Sequence, residues 1–103
     1  MSPQQIRDLV EKEIGGQWER SNLHGVDLRK CLLEPELAEC LDPAAGKRIR
    51  LWLVLSERPG RDNCYGVAYD EQSREFGLVA FNPGSPPTLV GMHGGFLNAM
   101  EAM

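Results

Sequence analysis

The sequence predicts an α+β domain, an antiparallel sheet of four or five strands with an N-terminal and a C-terminal helix. Three observations carry the prediction. An amphipathic helical pattern opens the chain, three alternating apolar segments follow at short spacing, and a helical stripe ends it. With 103 residues, 42% hydrophobic and 25% charged, the chain has the size and composition of one globular domain, residues 1–103, with a core of its own.

Ser2-Pro3-Gln4-Gln5 has the form of a helix start. Ser2 caps, Pro3 suits the first helical position, and Gln5 completes a capping box. Ile6, Leu9, Val10 and Ile14 then recur at helical spacing and Gly15-Gly16 ends the pattern, so a helix is expected over about 3–14. The stretch from Gln17 to Gly25 is polar apart from Trp18 and Leu23 and reads as a connection. Residues 26–33 fit either periodicity, and the bracket of Gly25 and Pro35 favours a short strand. Glu36 to Leu41 reads as another short strand or a single helical turn.

From Lys47 the alternation is clear. Ile49, Leu51, Leu53 and Leu55 fall on one side, and Arg50, Trp52, Val54 and Ser56 on the other. With the turns at Pro59-Gly60 and Asp70 to Ser73, this predicts a meander over about 48–56, 63–70 and 75–82. The Pro-rich stretch from Asn82 to Pro87 interrupts the sheet. Thr88 to Val90 is extended, and Phe96, Leu97, Met100 and Met103 share one face of a final helix.

The meander is apolar on both faces: Tyr65, Val67 and Tyr69 oppose Cys64, Gly66 and Ala68. If two short helices cover one face, the other is left bare, and a bare apolar face marks a partner site. The expected function is therefore a non-enzymatic interaction module that binds a protein partner or forms a homodimer, through a sheet face containing Trp52, Tyr65 or Tyr69. The helices could instead divide between the two faces.

Other classes have weaker support. The net charge of -4 and a pI near 5.1 argue against nucleic acid, and Lys47, Arg48 and Arg50 follow a segment rich in glutamate. The longest apolar run, Leu51 to Leu55, is too short for a membrane helix, and the N-terminus lacks the pattern of a signal peptide. Cys31, Cys40 and Cys64 suit reduced thiols in a cytoplasm and show no zinc-ligand spacing, so neither a metal nor another cofactor is expected.

The alternative reading rests on His93-Gly94-Gly95. Backbone N–H groups at a helix start attract anions, which makes these residues a candidate ligand site, or a hydrolytic one if a thiol approaches His93. Glycines also make tight bends, and the bend is the simpler reading. His24-Gly25 repeats the His-Gly pair in a loop. Asp70-Glu71 reads as a solvated hairpin tip. In general shape the sequence resembles many small acidic bacterial proteins, a likeness of fold that implies no activity.

Overall fold

The computed structural model describes residues 1–20 and 25–103; His24 and Leu23 lie outside the described residues. The elements run α1 (Pro3–Ile14), α2 (Leu28–Cys31), β1 (Leu32–Asp42), β2 (Lys47–Ser56), β3 (Cys64–Asp70), β4 (Glu75–Phe81), β5 (Thr88–Gly94) and α3 (Phe96–Glu101). The α+β class, both terminal helices and the meander stand as expected.

Helix α1 forms for the reasons its first residues suggest. The Ser2 hydroxyl accepts from the Gln5 amide at 3.2 Å, and Gln5 Oε1 accepts from the Ser2 amide at 2.7 Å. Gly15, at φ +58°, ends the helix in the left-handed region. Ile6, Val10 and Ile14 are buried on its inner face.

Two expectations for the middle of the chain are corrected. The segment from Val26 to Leu33 is not a strand throughout: the Asp27 carboxylate accepts from the Arg29 amide and caps one helical turn, Leu28–Cys31. The strand begins at Leu32 and absorbs Glu36 to Leu41, so the two short candidates become the single strand β1. Pro35 is tolerated inside it because the pairing with β2 is broken between Leu32 and Glu36, where a bulge needs no ladder donor.

The five strands follow one another around a barrel in the order β1-β2-β3-β4-β5. Neighbours are antiparallel except at closure, where β1 meets β5 in parallel at Leu41 and Thr88. The Leu41 amide donates to the Pro87 carbonyl there at 2.8 Å. This closure corrects the picture of a sheet with a bare second face. The inward side chains, Cys40, Leu51, Leu53, Cys64, Ala68, Val79 and Phe81, form one buried cluster of their own.

The outward side chains at one end of the sheet form the other cluster, under α1 and α3. A single row crosses all five strands there: Leu37, Trp52, Tyr69, Phe76 and Gly94 are successive register partners. Phe76 lies 4.8 Å from Tyr69 and 5.5 Å from Phe96, centroid to centroid, the second pair edge to face. Phe96 and Met100 are fully buried, and Leu97 and Met103 pack against the same cluster, so the stripe on the last helix belongs to the core.

The barrel interior has no spare volume at Gly66. A Cβ built on it would stand 2.4 Å from both the Leu55 carbonyl oxygen and a Phe81 ring carbon. Backbone cannot yield as a flexible side chain does, so Gly66→Ala is expected to cost about 1–3 kcal/mol. Urea unfolding measures this, and a variant as stable as the parent would show that the Leu55 backbone and the Phe81 ring both give way without cost.

Candidate functional site

The sheet end that the helices leave uncovered is the first surface to consider. Tyr65 follows the same outward alternation as Val67 and Tyr69, yet it is 42% exposed while those two are buried. Its register partner is Ala80, whose partner on β5 is Thr88. Tyr65, Ala80 and Thr88 thus form a second row across the sheet, parallel to the aromatic row but outside the helices.

Val90 lies two residues further along β5 and is 55% exposed. Leu89 and Gly91 oppose the adjacent residues Val79 and Leu78, which leaves Val90 without a partner in a bulge. The same happens at His93, between Met92 opposite Gly77 and Gly94 opposite Phe76. Bulged residues leave the regular alternation, and both of these side chains are exposed.

Trp52 and Tyr69 require a correction. They are 6% and 5% exposed, because α1 and α3 rest on the row to which they belong. Neither stands on an open face, and of the three proposed contact residues only Tyr65 does. Trp52 retains a polar link to the surface: its indole N–H donates to Glu71 Oε1 at 2.5 Å, and the N-terminal ammonium donates to the same oxygen at 3.1 Å. Glu71 is therefore no idle hairpin residue, as its place in a polar loop had suggested.

The His93-Gly94-Gly95 corner is a bend. His93 and Gly94 complete β5, Gly94 has φ +77°, and Gly95 is the residue before the first turn of α3. The Phe96 amide donates to Glu13 Oε1 at 2.9 Å, so a carboxylate from α1 already sits where an anion was expected. Neither candidate thiol has His93 as its hydrogen-bond partner. Cys31 donates to the Glu57 carbonyl, and Cys64 lies against the Ser56 hydroxyl. Burial pushes the Cys40 thiol up to about 11, against the smaller effect of a Leu51 backbone hydrogen bond, which suits packing rather than nucleophilic attack.

Among the described residues no three His, Cys, Asp or Glu side chains converge to hold a metal ion, and no helix is long and apolar enough to cross a membrane. The residues that sequence reading missed are Val90, Ala80, Thr88 and Glu13. Strand register places the first three, and no local pattern reports register.

Two outcomes follow from the polar links. Glu13→Ala removes the carboxylate that caps α3 and is expected to cost about 0.5–2 kcal/mol in thermal or urea unfolding, as loss of a helix cap does. No change would mean that α3 needs no cap. Glu71 is held below the ordinary carboxylate range, first by the Trp52 indole donor and then by the N-terminal ammonium. A depressed folded-state value contributes stability above the unfolded value that is lost as pH falls through the folded one. In a Trp18→Phe background, Trp52 emission should accordingly titrate below about pH 4.3, the unperturbed glutamate value, with the step absent in Glu71→Gln. A step at or above that value would contradict the assignment.

No family model matches this chain, and no curated protein or solved structure does either.

Proposed function

We propose that this protein is a non-enzymatic interaction module that self-associates through the open end of the outer sheet face, centred on Tyr65 and Val90. The observation that carries the reading is the contrast along one sheet face. Val67 and Tyr69 are buried under helices, whereas Tyr65 and Val90, at the other end, are exposed beside the small side chains Ala80 and Thr88. Tyrosine is well suited to anchor such a contact, since it offers a large rigid apolar ring with a polar tip.

The free strand edges are less suited to the task. Away from β2, the edge of β1 carries Glu34, Pro35, Glu36 and Glu39, which oppose addition of another strand. Beyond Thr88, β5 is interrupted by its two bulges. Packing of face on face around a two-fold axis avoids both obstacles, because each copy presents the same patch to the other.

Light scattering coupled to size-exclusion chromatography, over a concentration series, tests this reading. The parent should move from the monomer mass of 11.5 kDa towards twice that value. Tyr65→Ser combined with Val90→Lys should weaken the association on the order of thirtyfold or more, as loss of a central anchor does, and leave the melting temperature of the monomer unchanged. A parent that stays monomeric throughout, or a double variant that dimerises equally well, would sink it.

A further inference from the structure

We draw no further inference here: the strongest candidate, the apolar groove between α1, the turn α2 and the start of β1, has rim arginines Arg7 and Arg29 that are already paired with Glu34 and Glu19, and nothing in the structure shows what covers it.

Discussion

The row from Trp52 through Tyr69 to Phe76 is the constraint on which the rest of the architecture depends. It ties β2, β3 and β4 together on one face and gives both terminal helices a common surface. Phe96 meets that row edge to face, and Ile6, Val10 and Ile14 join the same cluster from α1. Full burial of one such side chain contributes about 1.5–3 kcal/mol, so a few of them outweigh the small intrinsic stability of helices this short. Gly94 is the row's last member, opposite Phe76. Its positive φ turns the chain directly from the end of β5 into Phe96. The bend and the aromatic contact are one device: the turn delivers the ring to its site, and Glu13 holds the first amide of the helix in place.

The opposite face has no helix and is buried by curvature. Closing a sheet of only five strands leaves a narrow interior, and the inward positions reflect it. Gly66 and Gly77 stand where a Cβ would collide, the one with Phe81 and the Leu55 carbonyl, the other with Met92 and the Gly91 carbonyl. Large and missing side chains alternate to fill the taper. The single parallel bridge between Leu41 and Thr88 then completes the ring; it joins the end of β1 to the start of β5, so the rest of each strand keeps a free edge. Glutamates and a proline guard one edge, bulges the other.

Much of this fold was legible in the residues, and the misreadings have physical causes. Ser2, Gln5 and Gly15 announce α1 because capping is local: the two side chains and the Gly15 backbone N–H each bond within four residues of themselves. The alternation from Ile49 to Ser56 announces β2 for the same reason. Closure is not local. The apolar character of both faces was visible, but a bare face and a face folded onto itself have the same alternation, and only the pairing of Leu41 with Thr88 tells them apart. Trp52 and Tyr69 were misplaced on the surface by that ambiguity. Tyr65 has the same residue type and the same face as Tyr69, and differs only in lying four residues further from the helices.

Helix length therefore determines how much of the sheet is covered. α3 spans only Phe96–Glu101, and the N-terminal cap of α1 places its buried residues over the Trp52 end. Tyr65, Ala80 and Thr88, which form the next row, are not part of the cluster under the helices. A shorter last helix would release Met100, which lies at the centre of the helix-covered cluster. The six residues present suffice to bury Phe96, Ala99 and Met100. Stability and surface are in this way divided along a single sheet face, with aromatic stacking at one end and an exposed tyrosine at the other.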